Sequence, residues 1–317
     1  MSATEPAAAR AARGRAPLPA AGVIVPLVTP LSPDRTVDAE SSASLVAHVR
    51  DAGADGVLAL GSTGESGALS AADREASVAA VVAAAGPLHV MAGVPSMGTA
   101  DAVAEARRWE GLGADSLLLA APFVFPPSPA ELRAHFTAVC SAVSIPVVAY
   151  DVPGRVQVAL PPALLRELAV EGMIAGVKDS TNVLSNAQGV LAATADLPGF
   201  VRCTGSEEAI DGLLLSGYEI AVPGLANVVP ERHVALLAHA RAGRWEEASA
   251  AQRELIPLLS LYGAPLAGGS PVAAFFAAVK EALRQRGVIA HSTTSLPFPP
   301  VDEAVADHVR RWLAGLG

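Results

Sequence analysis

Lysine, cysteine and aromatic side chains are all scarce in this chain of 317 residues. Its 22 cationic residues include two lysines, Lys178 and Lys280, and only 4% of the sequence is aromatic. The two cysteines, Cys140 and Cys203, lie too far apart to form a CxxC unit, as expected of a reduced, cytoplasmic protein. A formal charge of −9 comes without any basic stripe, so neither nucleic acid nor a membrane surface is an expected partner. No uninterrupted apolar run is long enough for a spanning helix. The seven histidines form no HxH or HxxxH pair and none ends an apolar run, which argues against a zinc site. A GxSxG elbow, a Walker lysine and a GxGxxG turn after the first apolar run are all missing, so serine-hydrolase, P-loop and dinucleotide-binding chemistry are not expected. Residues 1–20, rich in Ala, Arg and Pro, lack the apolar stretch of a signal peptide and read as a disordered extension.

What the chain does have is apolar material and a rhythm. Hydrophobic residues make up 51% of it, ample for a large core built from Ala, Val and Leu. Short apolar runs fall at 22–29, 56–60, 88–92, 116–120, 145–150, 174–178, 200–203 and 220–222. They show little alternation, as parallel strands buried on both faces should. Helical periodicity fills the intervals at 39–51, 71–85, 99–111, 129–142, 162–170, 183–193 and 207–215, and a glycine often closes the helix before the next run. Eight strands alternating with helices predict a (β/α)8 TIM barrel over 21–242. Helical stretches at 245–261, 271–286 and 302–314 predict a C-terminal helical appendage over 243–317, packed on the barrel.

In such a barrel, function belongs at the C-terminal ends of the strands. Lys178 ends the sixth run. In a chain that otherwise uses arginine for positive charge, a lysine at the end of a buried strand suggests amine chemistry that arginine cannot perform. The competing reading is a lysine snorkelling from the rim; Lys280, on a late helix, is expected to be structural. Tyr150 ends the neighbouring run and could pass a proton to a carbonyl oxygen, or simply pack its ring there. Ser62 and Thr63 sit in Gly61-Ser62-Thr63-Gly64-Glu65-Ser66, a turn whose amides and hydroxyls suit a small carboxylate. Arg155 could clamp a second carboxylate bidentately, or simply pair with an acid on the barrel rim. Gly205, after the seventh run, and Val222, ending the eighth, complete the expected substrate-binding set.

Taken together, VTP (28–30), GSTGES (61–66), YDVPGR (150–155), GVKDS (176–180), TGSE (204–207) and GLANVVP (224–230) resemble the dihydrodipicolinate synthase / N-acetylneuraminate lyase family of class I aldolases. The resemblance runs from about Val23 into the late helices. It implies a homotetramer built as a dimer of dimers, with no metal or organic cofactor. It also implies that Lys178 is the Schiff-base lysine, Tyr150 the proton relay, Ser62 and Thr63 the carboxylate-holding hydroxyls, and Arg155 the ligand of an aldehyde's carboxylate. Small molecules, a 2-oxo acid such as pyruvate together with an aldehyde, are the partners it implies. One departure stands out. Family members usually carry a tyrosine pair after strand four, the second reaching across the dimer, whereas this chain has Pro122-Phe123-Val124-Phe125. The best single expectation is condensation of pyruvate with aspartate semialdehyde. The alternatives are an aldolase or dehydratase of a hydroxylated 2-oxo acid, and a catalytically weakened oxo-acid-binding barrel.

Overall fold

The computed structural model describes residues 18–316, so most of the expected N-terminal extension lies outside the described residues. Eight parallel strands close into a barrel in sequence order. They are β1 (Gly22–Pro26), β2 (Gly56–Ala59), β3 (His89–Val94), β4 (Ser116–Ala120), β5 (Val147–Asp151), β6 (Gly176–Asp179), β7 (Val201–Thr204) and β8 (Ile220–Ala221). Closure falls at β8, where Ile220 is opposite both Gly22 of β1 and Cys203 of β7. Each strand leads to one of eight outer helices: α1 (Ala39–Asp51), α2 (Ala71–Ala84), α3 (Thr99–Leu112), α4 (Pro129–Cys140), α5 (Pro162–Val170), α6 (Leu184–Thr194), α7 (Ile210–Ser216) and α8 (Pro230–Arg241). Three helices follow: α9 (Trp245–Leu255), α10 (Pro271–Gln285) and α11 (Glu303–Ala314). The chain is a (β/α)8 barrel with C-terminal helices.

The strands lack alternation because one face fills the barrel and the other meets the helices. Val57, Val90, Leu117, Val148 and Val177 are all fully buried, each contributing roughly 1.5–3 kcal/mol by leaving water. Helix boundaries follow local chemistry. Ser128 and Glu131 form a reciprocal capping box at the start of α4. Gly113 ends α3 at φ 99°, a left-handed conformation that a side chain would strain, and β4 follows directly.

Three expected boundaries shift by three residues or more, each for a physical reason. β1 stops at Pro26 rather than Thr29, because beyond it the Val28 amide donates to the Asn227 side chain (3.0 Å) instead of a neighbouring strand. The expected helix over 245–261 is α-helical only to Leu255; Pro257 follows, and the chain tightens into a 3-10 segment, Ile256–Gly263. The helix expected from residue 207 starts at Ile210, after a 3-10 turn at Glu207–Ala209. Among the described residues, no helix is long and apolar enough to cross a membrane.

Candidate active site

Tyr150 and Lys178 are register partners on β5 and β6, with Ala120 and Cys203 continuing the row on either side. Strand alternation then sends Asp151 and Asp179, the next residues along, to the opposite face. Lys178 is 5% exposed, and its ammonium lies 4.3 Å from the centroid of the Tyr150 ring. The Tyr150 hydroxyl is 3.3 Å from Ser62 Oγ, so strands β2, β5 and β6 bring three expected residues together. Burial alone would push the phenol's pKa up. The Lys178 charge and hydrogen bonds from Ser62 and Ser180 outweigh it, and the phenol is held below its ordinary value.

The turn carrying Ser62 is braced from two sides. Thr29 donates its hydroxyl to the Gly64 carbonyl (2.8 Å), so the VTP segment supports the GSTGES segment. Glu65, at φ 56°, turns its carboxylate inward to an ion pair with Lys280 of α10, both side chains being 0% exposed. Glu65 Oε2 also accepts from the amide and hydroxyl of Ser295, both at 2.7 Å, and Lys280 Nζ donates to the Thr293 carbonyl at 2.8 Å. Burial pulls the Lys280 pKa down, and the Glu65 carboxylate pushes back.

A second buried network lies behind the β5–β6 pair. The Asn186 amide of α6 donates to Asp151 and Asp179 at 3.1 Å each, while the Leu160 amide donates to Asp151 (3.0 Å) and the Tyr218 hydroxyl to Asp179 (3.2 Å). Burial, with the neighbouring Asp179 charge adding to it, pushes the Asp151 carboxyl up to about 6. Glu207 makes a third such anchor, accepting from the Tyr262 hydroxyl (2.9 Å) and the Leu225 amide (3.0 Å). Asn227, in the GLANVVP segment, bonds the backbone of Pro26, Val28 and Gly224 and ties β1 to the loop after β8. None of these anchors was assigned a role from the sequence. A usable signal was there: an acid one step along a buried strand from a catalytic candidate must face the helix layer, where it needs donors.

Above Tyr150 opens a cavity of about 670 Å³, whose polar lining residues are Ser62, Glu65, Ser66, Tyr150 and Arg155. Arg155 is exposed, in the helical turn Pro153–Val156. Among the described residues lining the cavity it is the only cation. Neither Thr63, in the same 3-10 turn as Ser62, nor Lys178, tucked against the Tyr150 ring, lines the cavity, which Tyr150 and Ser62 border instead. Gly205 and Val222 sit at the ends of β7 and β8, their amides donating to the Asp179 and Thr204 carbonyls at 2.8 Å, and neither lines the cavity. Val124 stands half-exposed at φ 91°, a left-handed conformation rare for a β-branched residue. The far side of the cavity is built by α10 and the segment around Leu296–Phe298, which no local motif announces.

A strand-end lysine packed against a phenol, at the functional face of a (β/α)8 barrel, defines a lyase of the Schiff-base, class I aldolase type. The model of the dihydrodipicolinate synthetase family matches residues 19–315, and the chain belongs to that family. A 4-hydroxy-tetrahydrodipicolinate synthase of Shewanella piezotolerans is 33% identical over 278 residues, spanning 87% of this chain and 92% of that relative. One of Methanosarcina barkeri is 30% identical over 294 residues, 92% of this chain and 97% of the other. Among solved structures, YagE from E. coli, a family member in complex with pyruvate, superposes with a TM-score of 0.87 at 25% identity, covering 93% of this chain and 98% of its own. The Bacteroides thetaiotaomicron dihydrodipicolinate synthase also reaches 0.87, at 27% identity, with 94% and 99% covered.

Proposed function

We propose that the protein forms an imine between Lys178 and pyruvate and joins the resulting enamine to an aldehyde, aspartate semialdehyde being the best single candidate. The observation that carries this reading is the contact of the Lys178 ammonium with the Tyr150 ring, the phenol in turn reaching Ser62. The amine must lose a proton before it can attack a carbonyl, and Tyr150, whose lowered pKa favours ionisation, is placed to take it as the phenolate. Attack forms the carbon–nitrogen bond and breaks the carbonyl π bond; the phenol returns its proton to the oxygen, and a second proton, passed from the nitrogen through the phenolate, lets that hydroxyl leave as water. Ser62 and Thr63 would hold the oxo acid's carboxylate, Gly205 and Val222 would offer backbone contacts beside it, and Arg155 would take the aldehyde's carboxylate. Assembly as a homotetramer, residence in the cytoplasm, and division into a barrel over 21–242 and packed helices over 243–317 belong to the same proposal.

A second reading, an aldolase or dehydratase of a hydroxylated 2-oxo acid, is favoured by the lack of any hydroxyl from Pro122 to Phe125. Such a substrate would bring its own hydroxyl to the relay. Borohydride reduction in the presence of pyruvate tests the shared step. The peptide containing Lys178 should gain the pyruvate-derived mass, and Lys178→Ala should lose both label and turnover. Labelling that persists in Lys178→Ala would refute the mechanism.

A further inference from the structure

We infer that the cavity above Tyr150 accepts aldehydes bearing an aryl or branched alkyl tail, a further activity of the same imine, and this rests on the Lys178 chemistry proposed above. The chain has seven phenylalanines, and three of them, Phe123, Phe276 and Phe298, line this one cavity. Val152, Val156 and Leu296 extend the apolar surface. The aromatic wall is continuous with the appendage: Phe298 packs edge-on against Phe276 (5.1 Å between centroids), Phe276 against Phe275 (5.5 Å), and Phe275 against Tyr262 (4.6 Å). Concentrating a scarce residue type there makes a rigid apolar surface that a small polar aldehyde leaves uncovered. At about 670 Å³, the cavity is in the range of roughly 300–1,000 Å³ that encloses molecules far larger than pyruvate.

Charge on the walls points the same way. An amino aldehyde presents an ammonium as well as a carboxylate. The carboxylate can meet Arg155, but Glu65 is the only acid among the described lining residues, and its oxygens are committed to Lys280 and Ser295. An uncharged tail asks for no such partner and gains from leaving water against Phe276 and Phe298. The chemistry balances without a further reactant. Loss of a proton from the imine's methyl group gives the enamine, whose terminal carbon attacks the aldehyde carbon. The carbonyl π bond breaks, its oxygen takes a proton from the Tyr150 phenol, and hydrolysis of the imine frees Lys178 and a 4-hydroxy-2-oxo acid.

The test compares benzaldehyde with acetaldehyde as acceptors for pyruvate, using the full chain and following 4-hydroxy-2-oxo-4-phenylbutanoate by mass spectrometry. Benzaldehyde should be favoured in kcat/KM by about tenfold or more, the least that an apolar pocket makes of an added hydrocarbon group. Leu296→Asp and Phe298→Ser each place polarity on the wall from a position that is not fully buried, so folding should survive. Each should cut the benzaldehyde-to-acetaldehyde ratio by about tenfold. A wild-type ratio of one or below, or a ratio that neither substitution moves, overturns the inference. So does a Leu296→Asp variant whose oligomeric state falls apart while its aldehyde preference holds, because the wall would then be a contact between copies. Borohydride trapping on the same preparation separates the two claims. A label on Lys178 with no aryl preference defeats this inference alone, and a missing label defeats the imine reading with it.

Discussion

The Glu65–Lys280 pair offers the sharpest test of how the appendage supports the site. Lys280→Met keeps the length of the side chain and removes its charge. The Glu65 carboxylate then keeps two hydrogen bonds from Ser295 but loses its cation, at a position with no solvent exposure. Breaking a buried pair by removing one partner costs about 3–5 kcal/mol, a large share of the roughly 5–15 kcal/mol that holds a typical fold together. At about 2–4 °C per kcal/mol, the apparent melting temperature should fall by roughly 6–20 °C. The double variant Glu65→Gln/Lys280→Met removes both charges while the amide oxygen can still accept from Ser295. It should recover most of the loss, since neutral replacements for buried pairs are often no worse than the pair itself.

Urea midpoints, read by far-UV circular dichroism, would measure both variants. The reasoning fails if Lys280→Met costs less than about 1 kcal/mol, or if the double variant is no more stable than the single one.

Three further outcomes follow from the geometry. Tyr150→Phe removes one hydroxyl and little volume, so the fold should persist while turnover drops by about 10²–10⁴; wild-type turnover would mean that protons travel another way. Asp151, held at about 6 when folded against about 3.9 unfolded, contributes stability below the unfolded value that is lost as pH rises through about 6. Asp151→Asn should flatten that part of the profile, and urea midpoints that still fall across pH 4–6 in the variant would assign the slope elsewhere. Val124→Tyr restores the phenol that the family resemblance expects and should raise kcat with aspartate semialdehyde by about tenfold or more, while an unchanged kcat would show that no proton path runs through this residue.

The barrel was legible because its pattern is local and repeated. Runs such as 116–120 and 174–178 need only their own composition to read as doubly buried strands, and Gly113 marks a helix end wherever it falls. The juxtaposition of Lys178 and Tyr150 was legible for a different reason: rarity and strand-end positions on neighbouring runs single out both, and the register places them side by side. The far wall of the cavity was not legible. Phe276 belongs to an amphipathic helix that reads as ordinary core, and Leu296–Phe298 reads as a loop. Only the long-range return of α10 over the strand ends, held by Lys280 and Ser295 on Glu65, turns them toward Tyr150.

The acids in the other motifs are tied into the structure in a comparable way. GSTGES, YDVPGR, GVKDS and TGSE each carry one, and all four are hydrogen-bonded, Glu65, Asp151 and Asp179 being buried and Glu207 half-buried. Glu65 and Glu207 reach the C-terminal appendage, through Lys280 and Ser295 in one case and Tyr262 in the other. Asp151 and Asp179 reach α6 through Asn186. A buried carboxylate is costly unless its donors are in place, so each one favours a single arrangement of its loop. In GSTGES, YDVPGR and GVKDS the acid lies within three residues of Ser62, Tyr150 or Lys178. The loop arrangement it selects is therefore also the one that sets the distances among those side chains. Substituting an anchor should accordingly disturb the site more than its distance from the substrate would suggest, because what moves is the backbone carrying the reacting groups.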